Sequence, residues 1–268
     1  MNFFEAENIS AGYKDKEVLR SLSFSSEENT IVGIIGANGS GKSTLMKSVC
    51  KIIPHKGKCV LDGVELEGLS AKEIARICSY IPQRSGISID ISAMDVVLMG
   101  FNPRLKILQQ PDKAMKVRAY EALSKVGLKD KINDSYLTLS EGQKQLCILA
   151  RTLVADAKLL LLDEPESALD FKYRYMMMDI LREWVSKERR GVIINLHDPQ
   201  LALGYCDRLI LLKNGRVEGI IDTKTDLKSD MEEKLRKIYG NISLMDVTDN
   251  KGKKHLIMLK EDGNETFD

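Results

Sequence analysis

The segment Gly36-Ala37-Asn38-Gly39-Ser40-Gly41-Lys42-Ser43 constrains this chain more than any other. It has the spacing GxxxxGK[ST] and follows directly on Ile31-Val32-Gly33-Ile34-Ile35, an almost wholly apolar run of the kind that forms a strand buried on both faces. A helix is expected from about Lys42. Glycines here let the backbone wrap closely, so that successive N–H groups point inward, and the helix N-terminus adds its positive dipole end. Such a cradle suits phosphate oxygens. Gly36, Asn38, Gly39, Ser40, Gly41 and Thr44 are candidates for its lining. Lys42 can reach the β- and γ-phosphates, and the Ser43 hydroxyl can ligate Mg²⁺.

A second buried strand, Leu159-Leu160-Leu161-Leu162, delivers Asp163 and Glu164 at its C-terminal end. That edge of an open parallel sheet is where ligands bind. Asp163 suits a Mg²⁺ shell, and Glu164, one residue on, is placed to orient or deprotonate an attacking water. Further buried runs at Val192–Leu196 and Leu209–Leu212 alternate with helical stretches, which predicts a mostly parallel sheet flanked by helices, an α/β class fold. Residues 3–9 and 17–25 alternate apolar and polar around Ala11-Gly12-Tyr13-Lys14-Asp15 and read as an antiparallel hairpin. From 90 to 155 the period becomes helical. Residues 223–268 offer a charged helix and a hairpin turned by Asp249-Asn250-Lys251-Gly252. One domain is expected over 1–268, with a nucleotide-binding core from 1–89 and 156–222, an antiparallel β subdomain at its N-terminus and a helical subdomain at 90–155.

Bulk composition narrows the partners. Forty basic against 39 acidic residues give no general attraction to nucleic acid or anionic lipid, so a charged site has to be local. The five cysteines (Cys50, Cys59, Cys78, Cys147, Cys206) are scattered with no CxxC pair, which argues against zinc or disulfides and fits a reducing cytosol. The start lacks a secretory pattern and no run is long and apolar enough to span a bilayer, so a cytoplasmic location is expected.

Ser140, followed three residues later by Gln143, has the form of a capping box and starts a helix. With this segment in place the chain resembles the ABC ATPase family over residues 2 to about 220, on seven motifs in order. They are Tyr13, the phosphate loop, Gln83, Leu139-Ser140-Glu141-Gly142-Gln143, the Asp163-Glu164 strand, Ser167-Ala168-Leu169-Asp170 and His197. The resemblance implies an ABC ATPase fold that binds ATP with Mg²⁺. Tyr13 would stack on adenine, Gln83 would contact Mg²⁺ and the lytic water, and His197 would stand near the γ-phosphate. It also implies a homodimer in which Ser140, Gly142 and Gln143 of one copy cap ATP held by the other, with Asp170 alongside.

Two positions depart from the family pattern. Glu141 replaces a glycine; an acid in the first turn of a helix is favoured by the dipole, so its side chain is expected to turn away from the nucleotide. Glu166 stands where the family usually has Thr and is expected to matter little. His55 and His255 are expected at the surface. Met176-Met177-Met178 and Trp184 are expected to pack, and Lys187–Arg190 and Lys251–Lys254 to be solvated charged turns.

The stretches Asp95–Pro103, Gly142–Leu146 and His197–Leu203, with Ile238-Tyr239-Gly240 in the tail, look like the ATPases of iron–siderophore, haem and cobalamin importers. That implies separate integral-membrane permease subunits, a groove over about 84–105 for their coupling helix, a substrate-binding protein as indirect partner, and a peripheral position on the inner membrane face. Another importer substrate, such as a metal ion or molybdate, is the alternative. A nucleic-acid or ribosome-acting cassette is the rival class. It is disfavoured because no long coiled coil separates Gln83 from Ser140 and only one cassette is present, so no nucleic-acid partner is expected.

Overall fold

In the computed structural model, which describes residues 2–14, 16–83, 85–106, 108–187 and 189–261, the chain runs β1 (Phe4–Tyr13), β2 (Lys16–Ser26), β3 (Thr30–Ile35), α1 (Lys42–Val49), β4 (His55–Leu61), β5 (Val64–Glu65), α2 (Ala71–Ile77) and β6 (Cys78–Ile81). It continues through α3 (Ala93–Leu98), α4 (Lys113–Lys125), α5 (Glu141–Ala155), β7 (Leu159–Asp163), α6 (Phe171–Val185) and β8 (Gly191–Asn195). The remainder is α7 (Pro199–Tyr205), β9 (Arg208–Lys213), β10 (Arg216–Asp222), α8 (Lys228–Tyr239), β11 (Ile242–Thr248) and β12 (Lys254–Lys260). Asp15, Arg84 and Glu188, which fall within the hairpin turn, the expected groove and a charged turn, lie outside the described residues.

The central sheet has the order β10-β9-β3-β8-β7-β6, parallel except for β10, which returns antiparallel beside β9. Both of its faces are covered. Ile31 and Ile35 of β3, with Leu160 and Leu162 of β7, join the apolar cluster beneath the helices. Val32 and Ile34, with Leu159 and Leu161, join a second cluster shared with the antiparallel sheet β2-β1-β4-β5. An unbroken apolar run is what two buried faces require of a strand with side-chain period two. Helix α1 contributes Leu45, Met46 and Val49 to the second cluster, so the helix after the Gly-rich loop is wedged between the two sheets.

The first strand runs on through Gly12 to Tyr13, so Tyr13 ends a strand and does not sit in the turn. Gly12 permits this, because a Cβ there would meet the Lys16 carbonyl oxygen at 2.1 Å. Between β6 and β7 the described residues form helices and 3₁₀ turns, with α3 and α4 both packed on α5. The tail hairpin β11–β12 docks on α7 through Gln200, whose Nε2 donates to the Leu256 carbonyl at 2.6 Å and whose Oε1 accepts the Met258 N–H at 3.1 Å. Trp184, Met177 and Met178 are buried, as packing residues should be. His55 differs from expectation: its side chain is only 4 % exposed, against Glu67. No helix among the described residues is long and apolar enough to cross a membrane.

Candidate functional site

The Gly-rich loop joins β3 to α1 at the C-terminal edge of the parallel strands. Gly39 and Gly41 have φ of 78° and 109°, a backbone region that side chains disfavour, and Gly41 is the residue from which α1 starts. Lys42 folds along the loop, its Nζ donating to the carbonyls of Gly36 at 2.7 Å and Ala37 at 3.2 Å. Its ammonium pKa is lowered by burial, and the carboxylates of Glu164, Asp163 and Glu166 oppose that shift. Lys42 thus brings a buried cation to the loop that can meet an anionic ligand, while the three nearby carboxylates leave the cluster negative and call for a further cation beside that ligand.

The two acids arrive as the four-leucine strand predicts. Asp163 Oδ1 accepts from the Ser43 hydroxyl at 2.9 Å and from Asn195 Nδ2 at 2.7 Å, and Oδ2 accepts from the Tyr80 hydroxyl at 3.2 Å. Burial, then the neighbouring Asp163 carboxylate, pushes the Tyr80 phenol up, so Tyr80 stays a donor. Glu164 occupies left-handed backbone, φ 52°, with its N–H donating to the Asn195 carbonyl at 3.2 Å. Such a conformation costs a non-glycine residue roughly 1–3 kcal/mol and recurs where a side chain must be aimed. Here Glu164 Oε2 accepts from Gln83 Nε2 at 2.5 Å, while Oε1 lies 2.6 Å from His197 Nε2. Gln83, Asp163, Glu164 and His197 therefore converge, as the sequence reading expects.

Tyr13, 45 % exposed, together with Asn38, Gly39, Gly41, Lys42, Ser43, Thr44 and Glu164, borders a cleft of about 320 Å³, joined by Lys16 and Val18 from β2. Ser40 is buried, and its hydroxyl has no hydrogen-bond partner among the described residues.

Ser140, Gly142, Gln143 and Asp170 lie elsewhere. They line a separate cleft of about 390 Å³ with no wall residue in common with the first. Ser140 caps α5 reciprocally: its hydroxyl accepts the Gln143 N–H at 3.3 Å, and Gln143 Oε1 accepts the Ser140 N–H at 3.0 Å. Gly142 packs so closely on the Ala168 carbonyl that a Cβ would stand 3.0 Å from it. Asp170 caps α6 by accepting the Tyr173 N–H at 3.1 Å. The Glu141 carboxylate pairs with Lys144 at 2.8 Å on its own helix.

Three further residues shape the site beyond those the sequence singles out as functional. Tyr80 and Asn195 both hold Asp163, and the parallel register that sets Asn195 opposite Asp163 is the signal that an Asn closing a buried strand carries. Glu166 is only 2 % exposed; one oxygen accepts the His197 N–H at 2.9 Å and the other has no partner among the described residues. The expectation that it matters little does not anticipate a buried acid that holds the backbone of His197 and is itself pushed up in pKa by burial.

Comparisons with known proteins place the chain in a family. A Helicobacter pylori ATP-binding protein named for iron chelatin transport is 33 % identical over 215 residues, 80 % of this chain and 84 % of its own. A hemin import ATP-binding protein of Vibrio anguillarum is 31 % identical over 246 residues, 90 % of this chain and 92 % of its own. Among solved structures, a metal-chelate type ABC transporter in an inward-facing conformation matches the fold with a TM-score of 0.80 at 23 % identity, covering 97 % of this chain and 99 % of that one. Residues 19–167 match the family model described as ABC transporter. The chain belongs to the ABC transporter ATP-binding proteins and is an ATPase.

Proposed function

We propose that the chain powers an importer for an iron complex, such as a siderophore or haem, or a cobalamin-like substrate. In this reading it is a homodimer docked from the cytoplasm on integral-membrane permease subunits, served indirectly by a substrate-binding protein. Each phosphate loop holds ATP, and the Ser140 helix of the second copy closes over the γ-phosphate. The observation that carries this is the division of the motifs between two clefts without shared walls. A chain whose capping residues stand apart from its own phosphate loop needs another copy to bring them there.

Within one loop, Lys42 offsets the charge of the β- and γ-phosphates and the N-terminus of α1 faces them. The hard oxygens of Ser43 and Asp163, 2.9 Å apart, fit Mg²⁺, with the Gln83 side-chain carbonyl as a further donor. That ion, when bound, neutralises charge developing on the phosphate oxygens. Glu164, fixed on both oxygens by Gln83 and His197, orients the attacking water and accepts its proton. Tyr13 lies at the cleft rim where an adenine ring can stack. A further cleft of about 380 Å³, lined by Ser79, Met99, Asn102, Pro103 and Arg151 among others, supports the 84–105 stretch as the receiver of a permease helix. The names of the iron chelatin and hemin relatives support the cargo class.

Glu164→Gln tests the reading. Turnover should fall by about 10²–10⁴-fold, the range of a general base, while ATP affinity holds. With Mg-ATP the variant should elute from size exclusion as a dimer. Lost ATP binding would make Glu164 structural, and a monomer with ATP bound would remove the sandwich. Co-purification with rRNA or DNA in place of a membrane protein would overturn the importer.

A further inference from the structure

Five scattered cysteines and a histidine expected at the surface give no hint of a metal site in the sequence, but the fold gathers one of each beside a glutamate. His55 opens β4 and Cys59 follows on the same strand; the Asp62-Gly63 turn then returns the chain through β5 to Glu67. The Leu66 N–H donates to the Cys59 carbonyl at 2.8 Å, and Lys51 Nζ pins the returning loop through the carbonyls of Glu67 and Leu69 at 2.8 and 2.9 Å. One ligand atom each from His55, Cys59 and Glu67 then lies within 4.8 Å of the others.

We propose that His55, Cys59 and Glu67 form a mononuclear site for a borderline divalent transition metal of the zinc class. Tetrahedral bonds of about 2.0–2.3 Å place neighbouring ligand atoms roughly 3.3–3.7 Å apart. The contact between His55 Nε2 and Glu67 Oε1, at 3.2 Å, already has about that edge length, and the remaining edges, none longer than 4.8 Å, need to close by no more than about 1.5 Å. An imidazole, a thiolate and a carboxylate together select zinc, cobalt or ferrous iron over the hard ions that oxygen-only sites take.

The site has outer support and an unmet need. The Cys59 N–H donates to Glu67 Oε1 at 2.7 Å, which orients the carboxylate as metal sites require. Glu67 Oε2 is buried with no hydrogen-bond partner among the described residues while Oε1 meets both His55 and the Cys59 N–H, so an ion that also engages Oε2 would satisfy an acceptor the His55–Glu67 pair leaves stranded. Cys59 is fully buried and the His55 side chain 4 % exposed, whereas the Glu67 side chain is 27 % exposed, so the group stands at the margin of the core. Binding forms the metal–sulfur bond as the thiol proton leaves to solvent, and the thiolate and carboxylate then balance the charge of the ion. The pairing of His55 with Ala11 puts the metal one strand from the strand that ends in Tyr13. The inference is independent of the transported cargo.

The test is a Co²⁺ titration of the full-length, chelator-stripped chain without nucleotide. The expected result is a thiolate-to-cobalt charge-transfer band that saturates at one equivalent and is displaced by Zn²⁺. Cys59→Ser should abolish the band, His55→Gln and Glu67→Gln should weaken cobalt binding at least tenfold, and Cys50→Ser should leave it unchanged. Circular dichroism identifies a variant that fails to fold, and His55→Gln then decides, since it leaves the buried thiol in place. No charge-transfer band in the unmodified chain, a band that survives Cys59→Ser, or full cobalt affinity in both His55→Gln and Glu67→Gln would overturn the site.

Discussion

The cleft at the phosphate loop and the cleft at Ser140 are built on opposite plans. In the first, Ser43, Tyr80, Gln83, Asn195 and His197, from widely separated parts of the chain, all reach Asp163 or Glu164, and each of those four carboxylate oxygens has a partner. In the second, the polar groups answer one another locally: Ser140 and Gln143 cap a single helix, Glu141 pairs with Lys144, and Asp170 caps the next helix. Long-range wiring fixes side chains before a ligand arrives, and in enzymes such preorganisation is where much of the rate originates. Local satisfaction leaves a stable helix end with its positive pole outward, well suited to meeting an anion that another molecule brings. The groups around Asp163 and Glu164 are fixed within one chain, whereas in the proposed dimer the Ser140 edge meets its ligand through a contact between chains.

If that division is right, substitutions should separate into two groups. The largest binding effect is expected from Lys42→Ala, which removes charge-assisted hydrogen bonds to phosphate. A loss of about 2 kcal/mol is ~30-fold in Kd, measurable by fluorescent-nucleotide titration of dilute protein. Ser140→Ala should leave the Kd of dilute protein unchanged, because Ser140 lies outside that cleft. It should cost about 1 kcal/mol of stability through the lost cap and lower turnover about tenfold at concentrations where dimers form. A weaker Kd for Ser140→Ala in dilute protein would break the comparison, since the two clefts would then communicate within one chain.

How much of this could be read from the chain differs in the same way. Lys42, Ser43, Asp163 and Glu164 sit at fixed offsets from apolar runs, so local pattern suffices to place them. Tyr80 and Asn195 do not, because their contacts depend on strands that are neighbours only in the folded sheet. The fold has one similar gap. Strand β10 has no marked apolar pattern in the sequence, although Asn214-Gly215 precedes it with φ of 50° and 74°, the positive pair that a tight hairpin turn needs. Its half-buried residues lack the apolar run that marked β9. No motif surrounds His55, so the sequence points to the surface; in the fold Glu67, brought in by a turn, stands against it.

Glu166 sharpens the comparison on the long-range side. Burial raises its carboxyl above the usual value even though the His197 N–H opposes the shift. The folded chain therefore holds that proton more tightly than the unfolded one. The stability this gives is fully present below the ordinary carboxyl range and is lost as pH rises through the folded value. Glu166→Gln removes that loss, so its advantage over the parent in urea denaturation should grow as pH rises above the ordinary carboxyl range. A difference constant with pH would mean the carboxyl is not strained by its burial.

The smallest effect belongs to Glu141, on the local side. Its carboxylate is 77 % exposed and engages Lys144 one turn along, so it acts on its own helix. Glu141→Ala gives up an exposed ion pair and an acid at a helix N-terminus, together about 0.5 kcal/mol. Phosphate release should stay within about twofold of the parent, because a side chain held by Lys144 is drawn along α5 and away from its exposed N-terminus. A rise of several-fold would show that the carboxylate had been repelling a γ-phosphate brought to this helix. The Ser140 edge would then be electrostatically tuned against its ligand, in contrast to the phosphate loop, where the buried Lys42 attracts it.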